Sequence, residues 1–162
     1  MSETDLGALS WLDSSVMSDV SFLLARSNAL SLAAGNAALR PFGLKVRSYP
    51  VLAIACDDLR PTQRELADFL RLDPSQVVSV IDDLERQGLV ERQTDERDRR
   101  SKVLVPTATG RQVCAEAAAA VRAGEVTTYA ALSADEFHTL TKLLRRVAFP
   151  QHLGTALTSG EH

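Results

Sequence analysis

The 162-residue sequence predicts a mainly α-helical fold carrying one small β-hairpin, and three patterns predict it. Two short segments with helical apolar spacing, each with its own N-cap, follow one another at 62–72 and 73–87. Two β-prone runs then bracket a stretch too charged to pack. Long apolar-periodic segments stand at both ends of the chain. The central order of helix, turn, helix, strand, projecting loop and strand is that of a winged helix-turn-helix.

The elements follow in chain order. Residues 9–39 read as one long helix, or two in sequence, with Leu9, Leu12, Val16, Val20, Leu23, Leu24, Leu30, Ala34 and Ala38 approximating a single stripe. Pro41 disfavours helix at Arg40, and Gly43 tolerates a turn, so the helix ends there. A short helix is expected over 48–58, with Pro50 in its first turn and Val51, Leu52, Ile54 and Ala55 as its apolar residues. Thr62 stands three residues before Glu65, the spacing of a capping box, ahead of Leu66, Phe69 and Leu70. Asp73 followed by Pro74 starts the next helix, because an Asp caps and a Pro lacks only an N–H that the first turn leaves unused. Val77, Val80, Ile81 and Leu84 form its buried stripe, and Gly88 supplies the stop.

Leu89–Arg92 and Lys102–Val105 are the two strand-like runs, and the sequence QTDERDRRS between them must project as a wing. Thr107 caps a helix through the alanine tract at 115–120. Ser133 with Glu136 makes a second capping box, ahead of Phe137, Leu140, Leu143, Leu144 and Val147, and Pro150 marks the end of that helix. The winged helix occupies only the middle of the chain. The terminal helices therefore need another surface for their stripes, and a second copy of the chain supplies it. Three regions are expected: N-terminal dimerisation helices at 1–45, the winged helix at 46–106, and C-terminal dimerisation helices at 107–162.

Residues 61–111 resemble the winged-helix domain of MarR-type bacterial transcriptional regulators. The resemblance rests on the leucine-alanine step Glu65-Leu66-Ala67 and on the Leu-x-x-x-Gly-Leu-Val exit from Leu84 to Val90. It rests also on the Asp-x-Arg-Asp-x-Arg wing of Asp95, Arg97, Asp98 and Arg100, and on the Thr-x-x-Gly-Arg helix start of Thr107, Gly110 and Arg111. It implies a homodimer that binds a pseudo-palindromic operator in double-stranded DNA and usually represses. Release follows binding of a small, often aromatic or phenolic, effector, or oxidation of a cysteine. It implies also that Asp98 holds the wing while an arginine enters the minor groove, the candidates being Arg97 and Arg100, with Arg99 beside them.

For base readout the candidates are Ser75, Gln76 and Ser79, since the N-terminal residues of a reading helix face base edges. Gln76 can bond bidentately to an adenine. Relatives commonly carry a basic residue where this chain has Ser79, and a small polar one where it has Val78. Arg64, Arg71 and Arg86 are candidates for phosphate contacts or solvated cations. In the family the effector pocket lies between the helical frame and the winged domain, so Trp11, Arg26, Arg47 and Tyr49 are its candidate lining. Their aromatic surface and cationic donors suit an aromatic acid.

Charge gives DNA binding little support. The chain has a net charge of −3, and residues 60–111 hold ten Lys/Arg against ten Asp/Glu. A winged helix that binds a protein instead of DNA is therefore an open alternative, and so is redox sensing through Cys56 or Cys114. Asp57 and Asp58 should raise the pKa of Cys56 and suppress its thiolate. The two cysteines have no disulfide-scaffold or zinc-cluster spacing, and His138, His152 and His162 share no ligand spacing with them. No cofactor or metal is expected. The sequence has no Gly-rich phosphate loop, Gly-x-Ser-x-Gly elbow or His with a placed carboxylate and nucleophile, which argues against an enzyme. It has no run of about twenty apolar residues and no signal-like start, so a cytoplasmic protein with no membrane partner is expected.

Overall fold

A computed structural model describes residues 11–96 and 98–150. It divides into two compact units, one up to Glu125 and one from Val126. Among the described residues the main elements are α1 (Val20–Leu39), α2 (Tyr49–Cys56), α3 (Gln63–Leu70) and α4 (Pro74–Arg86), then strands β1 (Val90–Thr94) and β2 (Lys102–Pro106), then α5 (Ala108–Thr128) and α6 (Ala134–Ala148). A mainly helical fold with a two-stranded wing is what the sequence predicts.

The N-terminal stripe is not carried by one helix. The chain turns at Asp13–Ser14, makes a 3-10 turn at Ser15–Ser18, and restarts when the Asp19 carboxylate accepts from the Phe22 N–H at 3.0 Å. Among the described residues the 9–39 stretch is therefore interrupted, not one continuous helix. The cause is visible in the sequence, where aspartates and serines that prefer caps to helix interiors cluster at 13–19. Leu9 lies outside the described residues. At the far end of α1, Arg40–Phe42 forms a 3-10 turn closed by Gly43 at φ 67°.

The core of the first unit lies where α2, α3, α4 and the hairpin meet. Leu52, Leu66, Ile81, Leu84 and Leu104 are fully buried there, with Val51, Val77 and Val103 filling between them. The strands pair antiparallel in the register Val90 to Pro106 and Arg92 to Leu104. β2 is also stitched to the chain entering α3, since the Leu104 N–H donates to the Pro61 carbonyl at 2.8 Å and Thr62 bridges to Val103. The wing and the start of the helix-turn-helix therefore share one sheet edge.

α5 begins hard against the α4–β1 turn. The Thr107 hydroxyl accepts from the Gly110 N–H at 2.9 Å and lies 2.6 Å from the Gly88 carbonyl, to which it donates, while the Thr107 N–H donates to the Leu89 carbonyl at 3.0 Å. Arg111 pairs with the Asp58 carboxylate and donates to the Cys56 carbonyl at 3.2 Å. The Thr-x-x-Gly-Arg start thus ties α5 to both α2 and the winged helix.

In the second unit, the Ser133–Glu136 capping box forms as expected, and the Tyr129 and Phe137 rings stack tilted with centroids 5.4 Å apart. α6 buries none of its residues in this chain, and Leu143, Leu144 and Val147 are exposed. On α1, Val20, Phe22, Leu23, Leu24, Leu30 and Leu32 are exposed as well. Among the described residues no helix is long and apolar enough to cross a membrane.

Candidate nucleic-acid interface

Both helices of the central pair start as their caps dictate. In α3 the Thr62 hydroxyl accepts from the Glu65 N–H at 3.2 Å, and the Glu65 carboxylate accepts from the Thr62 N–H at 2.7 Å. In α4 the Asp73 carboxylate accepts from the Ser75 N–H at 2.8 Å. It accepts from the Ser75 hydroxyl too, and these bonds hold its pKa below the usual carboxylate range. Because Val77, Ile81 and Leu84 point into the core, Gln76, Val78 and Ser79 are left exposed on the other face of α4. Of the three readout candidates, Gln76 and Ser79 have no side-chain partner among the described residues, whereas Ser75 is engaged by its own cap.

The wing is a braced loop. Asp98 accepts from the Arg100 N–H at 3.0 Å and from the Ser101 hydroxyl at 2.8 Å. The Asp95 N–H donates to the Ser101 carbonyl at 3.0 Å, and the Asp95 side chain is buried. Asp98 thus spends its charge on the loop's own N–H and hydroxyl groups. Arg99 and Arg100 are exposed, and their guanidinium groups have no hydrogen-bond or ion-pair partner among the described residues. Arg97 lies outside the described residues.

The candidate phosphate contacts separate into two kinds. Arg64 and Arg71 are exposed, with side chains unpaired among the described residues, and Arg71 caps α3 in the left-handed region at φ 54°. Arg86 instead pairs with Asp83 one turn before it. Arg92, which the sequence shows only as one more wing charge, is bound on several sides. It pairs with Asp82 at 2.6 Å and with Glu85, and its N–H donates to Glu85 at 3.0 Å.

Residues 42–101 match the model of the MarR family. The fold is similar to that of a MarR-family transcriptional regulator from Rhodococcus sp. RHA1, with a TM-score of 0.80 and 37% identity over 86% of this chain and 99% of that one. This chain belongs to the MarR family. It is also similar to CouR from Rhodococcus jostii RHA1 bound to p-coumaroyl-CoA, with a TM-score of 0.78 and 38% identity over 86% of this chain and 98% of that one. The Mycobacterium tuberculosis MarR family protein Rv2887, in complex with DNA, matches with a TM-score of 0.65 and 26% identity over 79% of this chain and 96% of that one. Among curated sequences, the HTH-type transcriptional regulator YybA of Bacillus subtilis is 34% identical over 88 residues, which are 52% of this chain and 57% of that relative's length. MarR-family membership makes the chain a winged helix-turn-helix transcriptional regulator.

For a MarR-type effector site, the four candidates fall in different settings. Arg47 and Tyr49 stand together at the entry to α2, where Tyr49 is half-buried against the core and its hydroxyl pKa is raised, first by that burial and then by Cys114. Trp11 is 75% exposed, Arg26 is exposed on α1, and no hydrogen bond or ion pair joins either to Arg47 or Tyr49.

The two cysteines are brought together, which their 58-residue separation did not suggest. The Cys56 thiol lies 3.9 Å from the Gly110 carbonyl, and Cys114 is near enough to raise its pKa. Burial foremost, and then Cys114, pushes the Cys56 thiol up to about 12. The direction agrees with the sequence expectation but the cause differs, since Asp57 contributes least and Asp58 is turned away to Arg111. At pH 7.5 the thiolate is then a negligible fraction, so iodoacetamide should leave Cys56 unmodified in the native protein and label it in the unfolded one. Rapid native labelling, read by peptide mass, would contradict this. A raised folded pKa stabilises the fold fully below the unfolded thiol's value near 9, and that contribution is lost as pH rises from about 9 to about 12.

Proposed function

We propose that this chain is a homodimeric, ligand-released repressor that binds a pseudo-palindromic operator and works in the cytoplasm. The observation that carries the reading is the pairing of an unobstructed α4 face, Gln76, Val78 and Ser79, with a braced wing whose Arg99 and Arg100 have no partner among the described residues. Cations not paired to described residues are available to meet phosphates or a narrow minor groove. Gln76 can read an adenine, and Val78 fits a thymine methyl where relatives commonly use a polar side chain. Arg64, Arg71 and Arg97 are assigned backbone or groove contacts. Rv2887's complex with DNA supports DNA as the partner.

Dimerisation is supported by apolar residues exposed on α1 and α6, which a lone chain would leave in water. Regions 1–45 and 107–162 are assigned to that interface. An isologous pair would turn both α4 helices toward one duplex. The effector is proposed to be an aromatic acid carried as its coenzyme A thioester. CouR supports this, and so does charge: residues 20–56 contain Arg26, Arg40, Lys45 and Arg47 and no Asp or Glu. All four cations are exposed and unpaired among the described residues, which suits a ligand with several phosphates. Tyr49 and Trp11 would supply aromatic surface. The high Cys56 pKa counts against thiol oxidation as the release signal.

The test is fluorescence anisotropy with duplex from the region flanking the protein's own gene. Binding should weaken steeply with salt, and p-coumaroyl-CoA should release the DNA at concentrations where free p-coumarate and free coenzyme A do not. Salt-independent binding would favour a protein partner. Release by p-coumarate alone would remove the thioester from the proposal.

A further inference from the structure

We propose that Arg92 is a positioning residue that locks the reading helix to the wing and thereby sets sequence discrimination, without touching DNA. The proposal rests on the DNA-binding reading above.

Arg92 is the third residue of β1, and its side chain lies back across the helix-turn-helix instead of out along the wing. One guanidinium nitrogen pairs with Asp82 at 2.6 Å and another with Glu85, both on α4. Glu85 also accepts from the Arg92 N–H at 3.0 Å, so it holds both the backbone and the side chain of β1. With the Gln63 amide oriented to satisfy its neighbours, its oxygen accepts from Arg92 Nε at 2.6 Å and from Nη2 at 3.0 Å. One side chain therefore joins the start of α3, the second half of α4 and the root of the wing. At 23% side-chain exposure it is mostly withdrawn from solvent, whereas Arg99 and Arg100 at the tip are exposed.

The geometry has two consequences. The planar guanidinium fork binds in fixed directions, so it fixes the angle between α4 and the wing, which must reach the major and the neighbouring minor groove together. It also neutralises the Asp82 and Glu85 carboxylates on the reading helix. Reading by Gln76 depends on sub-ångström placement, while phosphate contacts by flexible arginines do not. Loss of the lock should therefore cost operator binding more than binding to random DNA.

The decisive variant is the isosteric double substitution Asp82→Asn with Glu85→Gln in the full-length protein, compared with Arg92→Gln. If charge alone mattered, removing two acids from the reading helix would strengthen binding to every duplex. The lock predicts the opposite for the operator: at least a fivefold loss of affinity, with random-duplex affinity unchanged or higher and the salt slope not reduced. Arg92→Gln should likewise lose at least tenfold on the operator at an unchanged slope. If Arg92→Gln does not fold, the double variant carries the test alone. The proposal is overturned if the double variant binds the operator as well as or better than the parent. It is overturned equally if Arg92→Gln weakens both duplexes alike and lowers the slope by about one, the mark of a phosphate contact. A parent protein that binds no operator would instead remove the DNA-binding reading, which separates the two failures.

Discussion

Gly110→Ala is expected to destabilise the protein by at least about 3 kcal/mol, lowering the melting temperature by roughly 6–12 °C, or to prevent folding altogether. A Cβ added at Gly110 would lie 1.8 Å from the Leu89 carbonyl oxygen and 2.8 Å from its carbon. Both are backbone atoms of the turn between α4 and β1, so no side-chain rotation can relieve the clash. The same oxygen accepts from the Thr107 N–H, so moving the turn away also breaks the start of α5. Gly124, farther along the same helix, is the matched control. A Cβ there would sit 3.7 Å from the Ala38 Cβ, an ordinary contact. Gly124→Ala should therefore be neutral or stabilising, by up to about 1 kcal/mol through helix propensity alone. Thermal unfolding of the two variants checks the pair, and a Gly110→Ala protein that melts with the parent would contradict the close approach.

The second large effect is expected at the wing. Arg99→Ala with Arg100→Ala should weaken operator binding on the order of 100-fold and reduce the salt slope by up to about 4 for a dimer with two wings, at about 0.9 per lost phosphate contact. The melting temperature should not change, because neither guanidinium has a partner in the described structure to lose. Arg97→Ala is expected to act in the same direction. The combination of weaker binding, a flatter slope and intact stability separates a DNA-contacting wing from a structural one. Anisotropy titrations at several salt concentrations read the first two, and a lowered melting temperature at unchanged slope would refute the contact.

What the sequence disclosed was mostly local. Caps are written in consecutive residues, so Thr62 with Glu65, Asp73 with Pro74, and Ser133 with Glu136 each located a helix start that the structure has. Gly88 at φ 69° closes α4, and the charged stretch after β1 forms the wing, for the same reason. Interactions between distant segments were not legible. Cys56 meets Cys114 because Gly110 lets α5 approach the winged helix, and no spacing rule encodes that contact. Arg92 counted as one charge among many, although Asp82 and Glu85, three apart on one helix, offer a paired acceptor to a nearby strand. Arg86 likewise was a free cation by count and is Asp83's partner in space. Charge totals mislead here in general: several of the ten cations at 60–111 are consumed internally, while Arg99 and Arg100 have no partner among the described residues.

Hydroxyl-radical footprinting on the DNA flanking the protein's own gene tests the central claim most directly. Two reading helices held by one symmetric dimer should protect two half-sites about one helical turn apart, related by a dyad, with added protection in the minor groove where each wing lands. Protection confined to one half-site, or spread evenly with no dyad, would contradict the account.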